Sequence, residues 1–354
     1  MLALLANFNY AILGWIAGAI ILLGLLSWPV MYLIVSRKVY LAQLRRGDKS
    51  NWARGHASSP DANIQAMYAA GMQWHNDNVQ YKKDVHIVNK GLNLYGEYYD
   101  FGYNKCAMIL SGRTESLEYG YYFAIPYAKL GYNVLVVDPR AHGMSEGEYN
   151  TIGFEESSDA LAWAAHIHDQ FGAESVIFHG ICIGSAAAMY ALTSNDCPSY
   201  VKGMVAEGMF ANFSESMKEH LIEKKKPVFM LNDMINLWMK HYTGHSMKFG
   251  PINVIDKLEK PLLMLHSKKD AYSTPKWAQK LYDKAKTDKK QLVWFEEGRH
   301  SMLRITNTEQ YDQAIAEFVS ENFYYTTISG AQQYLAHSKR QYCKSIAFFN
   351  AHLP

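Results

Sequence analysis

The residues best suited to chemistry lie in the stretch Ser175-Val-Ile-Phe-His-Gly180-Ile-Cys182-Ile-Gly184-Ser-Ala-Ala-Ala-Met-Tyr. A short apolar run leads into G-x-C-x-G, and small helix-forming residues follow. A nucleophile held at the tip of a sharp strand-to-helix turn requires this context. The glycines have a steric reason: the turn is tight, and Gly180 and Gly184 leave room for neighbouring backbone. The helix beginning at Ile183 is expected to aim its N-terminal N–H groups and positive dipole end at the sulfur, which favours the reactive thiolate. A lone cysteine is ordinarily a buried structural residue, but the spacing and context here favour a nucleophile. Ser185, the nearest serine, falls one turn into the helix and off the tip.

A thiol nucleophile needs a base and a group to orient that base. Both are available downstream. Asp270 follows a strand-like run ending near residue 266, and His300 follows another ending at residue 295. The loops after such strands are where open α/β sheets place their sites. His300 is expected to take the thiol proton and later protonate the leaving group. Asp270 is expected to fix the imidazole tautomer and stabilise its charged form. Glu207, after a run at 201–206, is a second and weaker candidate acid; a capping or buried carboxylate is the alternative for it. An oxyanion hole needs two backbone N–H groups. Ile183 supplies the first, and the loop Ser111-Gly112-Arg113-Thr114-Glu115-Ser116 the second, at Arg113. The Arg113 side chain has Glu115, an anionic head group or solvent as alternative partners.

The elements that must position these groups follow from the hydrophobic pattern. Candidate strands fall at 85–88, 92–98, 107–110, 134–137, 176–178, 201–206, 262–265 and 291–295. Candidate helices fall at 118–130, 154–170, 184–192, 276–285 and 309–322. Strands alternating with helices of this length imply βαβ units and a mainly parallel sheet. Continuous runs such as NVLVVD and PLLMLHS fit strands buried on both faces. A Met-rich insert at 212–259, helical at 227–241, breaks the rhythm where a lid would sit.

The chain has 354 residues, is 49% hydrophobic and 19% charged, and carries a formal net charge of +2. That is enough apolar material for one large core, and nothing points to nucleic acid. Cys106, Cys182, Cys197 and Cys343 are widely spaced, so neither a disulfide framework nor a zinc site is indicated, and no cofactor is expected. Residues 1–36 hold no charged side chain, and 11–35 read AILGWIAGAIILLGLLSWPVMYLIV. This run is long enough to cross a bilayer, with Pro29 expected to kink or end the helix. A cleaved signal peptide is disfavoured, since no positive region precedes the run and no A-x-A-like site follows it. Arg37, Lys38, Arg45, Arg46 and Lys49 follow, which places the rest of the chain in the cytoplasm by the positive-inside rule. The expected organisation is an anchor at 1–36 and a basic segment, linker (47–63) and short helix (64–76) within 37–82. The main domain follows at 83–323, and a helical tail at 324–354.

From about residue 83 to 323 the chain resembles the α/β-hydrolase superfamily, specifically its serine-aminopeptidase, monoglyceride-lipase and lysophospholipase-like branch. Besides the elbow, the resemblance rests on the strand ending in Asp138-Pro-Arg140-Ala-His142-Gly143-Met-Ser145, similar to the family's D-x-R-x-x-G-x-S. It rests also on Gly112-Arg113-Thr114-Glu115-Ser116, similar to the G-R-x-E-S of bacterial lysophospholipases. The resemblance implies an α/β-hydrolase fold and a triad in the order Cys182, Asp270, His300. Cysteine at the elbow departs from the usual serine. It also occurs in dienelactone hydrolases and polyhydroxyalkanoate synthases, and GICIG looks like the synthase box. The expected activity is hydrolysis of an ester or thioester, with a lipid among the candidate substrates, through an acyl-cysteine. An acyltransferase with the same triad and a non-catalytic binding protein are the alternatives. The expected partners are a small-molecule or lipid acyl substrate and a membrane.

Overall fold

The computed structural model describes residues 2–47 and 61–323. Most of the expected linker, the expected tail and Cys343 lie outside the described residues. Eight strands form one sheet: β1 (Lys82–Asn89), β2 (Leu92–Tyr99), β3 (Lys105–Leu110), β4 (Asn133–Val137), β5 (Ser175–Ile181), β6 (Val201–Glu207), β7 (Leu262–Ser267) and β8 (Lys290–Phe295). Their order is β1-β2-β4-β3-β5-β6-β7-β8. β2 pairs antiparallel with β1 and β4, and every other pairing is parallel.

Alternation along the buried strands builds two cores, because successive side chains point to opposite faces. Cys106, Met108 and Leu110 of β3 face one cluster, with Trp163 and Ile167 from α4 (Phe154–Phe171), Met189 from α5 (Ile183–Leu192) and Leu281 from α8 (Pro275–Lys284). Ala107 and Ile109 face the other, with Met67 from α2 (Ala62–Asn78), Phe123 and Tyr127 from α3 (Leu117–Lys129) and Ile315 and Phe318 from α10 (Thr308–Phe323). A short helix, α9 (Leu303–Thr306), precedes α10.

Two features differ from expectation. The first helix, α1, runs unbroken from Leu2 to Leu44, with Pro29 inside it. One proline removes a single ladder bond, and the far end of the helix is held by packing. Tyr40 and Leu44 are fully buried, and Trp238 Nε1 donates to Leu33 O at 3.1 Å and Ser36 Oγ at 3.0 Å. α1 is long and apolar enough to cross a membrane. The insert, second, is two helices rather than one, α6 (Phe213–Glu223) and α7 (Leu231–Thr243). Helix formation waits until Leu231 because Met230 takes a positive φ of 59°. Both insert helices join the end of α1 in a third apolar cluster, against which Cys182 packs.

Candidate active site

The site is built where β3, β5, β6, β7 and β8 end. β5 delivers Cys182 to the bend, where its φ is 53° and ψ −109°. This is a conformation that L-residues adopt only under constraint. The constraint is visible around it. A Cβ at Gly184 would lie 1.9 Å from the Leu110 carbonyl oxygen, and one at Gly180 would lie 2.4 Å from the Ser185 nitrogen. The strand and helix can approach this closely only because both positions lack a side chain. The Cys182 N–H donates to Glu207 O at 2.9 Å. The side chain is neither fully buried nor exposed. Ser185 is fully buried, and its hydroxyl donates to Gly180 O at 2.6 Å, so it serves the turn itself.

Asp270 and His300 come together from successive strand ends. Asp270 Oδ1 accepts the amides of Tyr272 and Ser273, both at 2.8 Å. This fixes the carboxylate, and its Oδ2 lies 2.7 Å from His300 Nδ1. An ionised carboxylate only accepts, so Nδ1 is the donor and Nε2 is left for another partner. Burial alone would raise the Asp270 pKa, but the charge and hydrogen bond of His300 and the Ser273 amide hold it below its ordinary value. Burial likewise opposes the charged form of His300. The charges of Asp270 and Cys182, with hydrogen bonds from both side chains, outweigh it and raise the imidazole well above its ordinary value. Asp270 and Cys182 thus both favour the charged imidazole. Gly208, at φ +58°, lets it close: a Cβ there would lie 3.1 Å from His300 Cε1.

The loop after β3 reaches the same place. A Cβ on Gly112 would lie 3.5 Å from Cys182 Cβ. The Gly112 N–H donates to Glu115 Oε2 at 3.1 Å. The Arg113 guanidinium donates to Gln43 O of α1 at 3.3 Å, which ties this loop to the first helix. Ile183 is the first residue of α5, so its amide lies outside the helical ladder. The stretch at 138–145 braces the loop rather than entering the site. Asp138 accepts the Leu117 and Met144 amides, both at 2.8 Å. Arg140 grips Asp159 through two bonds of 2.6 and 2.7 Å. Burial drives His142 down to about 4, so the neutral ring accepts the Thr114 N–H at 3.0 Å.

Glu207 does not touch His300. Its carboxyl accepts the Leu303 N–H at 3.1 Å and the Tyr311 hydroxyl at 2.6 Å. Tyr311 in turn meets His179 Nε2 at 3.0 Å, and Tyr127 meets His179 Nδ1 at 2.9 Å. Burial pushes the Glu207 carboxyl up to about 7, against the lowering effect of the bonds from Tyr311 and Leu303. Glu207 is thus a brace beneath the site. Tyr119 is another, since its hydroxyl donates to Ser301 O in the loop carrying His300. Glu207 is thus the buried carboxylate given as its alternative, whereas the bracing role of Tyr119 and the role of Gly208 had no local signal.

A sequence model of the α/β-hydrolase fold matches residues 108–236, and one of serine aminopeptidases (S33) matches 252–306. An uncharacterized protein of Bacillus subtilis strain 168, YqkD, is 30% identical over 217 residues, which is 60% of this chain and 69% of that one. The chain belongs to the α/β-hydrolase superfamily. Solved structures share the fold of this α/β-hydrolase. The Pyrococcus furiosus esterase Pf2001 is 22% identical with a TM-score of 0.59, covering 71% of this chain and 94% of the esterase. An α/β-hydrolase from Vibrio vulnificus is 17% identical with a TM-score of 0.57, covering 80% and 93% respectively.

Proposed function

We propose that this α/β-hydrolase cleaves an ester or thioester through an acyl–Cys182 intermediate, with His300 as the acid–base and Asp270 as its orienter. The observation that carries the reading is the position of one imidazole. Asp270 bonds it at 2.7 Å on one side, and the sulfur of Cys182 raises its pKa from the other. In this reading His300 takes the thiol proton, which frees the sulfur to attack. The thiolate attacks the acyl carbon, and the carbonyl oxygen gathers negative charge. The amides of Ile183 and Arg113 are the donors assigned to it. The C–O or C–S bond to the leaving group then breaks as the imidazolium protonates that group. Water, deprotonated by the neutral imidazole, attacks the acyl-cysteine. Collapse releases the acid and the sulfur, which takes its proton back from the imidazolium.

The apolar surroundings support a hydrophobic acyl chain. Cys182 packs against a cluster that includes Phe213, Met217, Leu231 and Met239 of the insert, Phe210 just before it, and Tyr40 and Leu44 of α1. α1 supports a single membrane-spanning anchor, and the basic residues from Arg37 to Arg46 support a cytoplasmic domain. The test is intact-mass detection of a covalent adduct after exposure to a panel of aryl esters and acyl thioesters. A mass increase equal to the acyl group, absent in Cys182→Ala, is expected. Turnover without any adduct, or labelling unaffected by Cys182→Ala, would overturn the assignment. Product analysis with an added alcohol or amine reports whether the acyl group passes to water or to an acceptor.

A further inference from the structure

The insert, whose α7 packs on the first helix, presents apolar side chains to solvent. Phe229 is 80% exposed, Leu237 56% and Ile222 51%, with Met230 beside them. These side chains come from the end of α6, the connecting turn and α7, and exposed apolar residues of this kind mark a surface that meets something. What it meets follows from the register between α7 and α1. Trp238 bonds to Leu33 and Ser36, and four residues on, Tyr242 accepts from Arg37 Nε at 2.8 Å and stacks on Tyr40 at 5.4 Å between ring centroids. Both contacts advance together along the two helices, so α7 runs in the same direction as α1. The start of α7 therefore points back toward the apolar body of α1. Seven residues separate Leu231 from Trp238, about 10 Å of helix. Phe229, Met230 and Leu231 thus lie nearer the level of Trp28 than of Arg37. Tyr32 and Val228 pack on the shared cluster, as this direction requires.

The charge of the adjoining turn is one-signed. Lys224, Lys225 and Lys226 are consecutive and exposed. The neighbouring acids are engaged elsewhere: Glu223 accepts from Tyr272 at 2.6 Å, and Asp233 pairs with Lys248 at 2.8 Å. Lysines beside exposed apolar residues fit the boundary between phosphate head groups and acyl chains.

We propose that the turn between α6 and α7 is seated in the head-group layer of an anionic leaflet, with Phe229, Met230 and Leu237 entering the apolar boundary and Lys224–Lys226 on the phosphates. The proposal rests on α1 spanning that bilayer. It does not rest on the chemistry of Cys182. The insert would then meet lipid on its outer face and the elbow on its inner face.

The test uses the full chain in phosphatidylglycerol nanodiscs, with Cys182, Cys197 and Cys343 replaced by alanine; Cys106 is fully buried. Bimane is attached to Phe229→Cys in one sample and to Leu25→Cys of α1 in another. Lipids brominated near the head group, lipids brominated at the chain end, and aqueous iodide serve as quenchers. Quenching of position 229 by the shallow bromolipid, with at least threefold protection from iodide relative to free dye, is expected. Replacing Lys224, Lys225 and Lys226 with glutamine should cut the bromolipid quenching at least twofold. Iodide quenching at 229 with bromolipid quenching retained at position 25 would overturn the insert's seating alone. Iodide quenching at both positions would overturn the spanning reading and this proposal with it.

Discussion

The amide of Cys182 is held by the Glu207 main-chain carbonyl at 2.9 Å, while the Glu207 carboxyl holds the Leu303 amide at 3.1 Å. One buried residue thereby links the bend carrying the sulfur to the loop carrying the imidazole.

This linkage makes Glu207 a pH-dependent strut. Its folded pKa, about 7, lies above the ordinary value of about 4.3. Folding therefore favours the protonated form. Relative stability is full below the unfolded pKa and is lost as pH rises through the folded one. Glu207→Gln keeps an oxygen for Leu303 and cannot ionise. It should be more stable than the native chain at pH 8, by up to roughly 3 kcal/mol, with the gain vanishing near pH 4. Denaturant titrations at the two pH values measure this, and a pH-independent gap contradicts it. Glu207→Ala leaves two buried donors unmet and should cost about 1–3 kcal/mol.

Cys182→Ala should remove turnover by at least ~10³-fold, the scale seen when a nucleophile is deleted, with little change in thermal midpoint. Cys182→Ser should leave a weak enzyme, since the imidazole is set for the longer C–S bond. Removing the sulfur should also lower the His300 pKa, because its charge and bond raise it now. Nitrogen-15 NMR of the imidazole reads this directly, and an unchanged titration would separate the two side chains.

Asp270→Asn should lower kcat by about 10²–10⁴-fold by releasing the tautomer. The stability effect has a defined window. Asp270 is shifted down, so its contribution is full above its unfolded pKa of about 3.9 and is lost as pH falls through its lower folded value. His300 is shifted up, so its contribution is full below about 6.5 and is lost as pH rises through its raised folded value. The native-minus-Asn stability difference should therefore peak between about pH 4 and 6.5. A difference that grows above that range rules out the pair as described.

Tyr40 tests the docking of α1. Its ring is fully buried, and its hydroxyl has no hydrogen-bond partner. Tyr40→Phe should be neutral or stabilising by up to about 1 kcal/mol, since an unmet polar group leaves the interior. Tyr40→Ala should cost about 3–5 kcal/mol through the cavity it opens. Thermal unfolding of the three chains in one detergent compares them, and equal midpoints would mean that the end of α1 is not docked.

The central sheet was legible because strands such as β4 are apolar throughout, the mark of burial on both faces. Their ends were less so. Lys82 and Lys105 belong to β1 and β3 through ladder pairing, which no polar residue announces. The elbow was legible because its glycines and its sulfur lie within five residues. The pairing of Asp270 with His300 was legible because each lies in the loop that follows a strand, past Ser267 and Phe295 respectively. Tyr311 lies 104 residues from Glu207, and such a bond leaves no local signal. The length of α1 was misread at Pro29 because its continuation depends on Trp238, Tyr242 and the insert, a tertiary effect that outweighs local preference.

The crowding at Gly180 and Gly184 has a further meaning. Those two positions admit no side chain, whereas residue 182, held between them, carries one. Exchanging sulfur for oxygen there alters one atom and leaves the backbone frame untouched. The glycines therefore set the frame of this bend, and the chemical character of residue 182 can change without disturbing it.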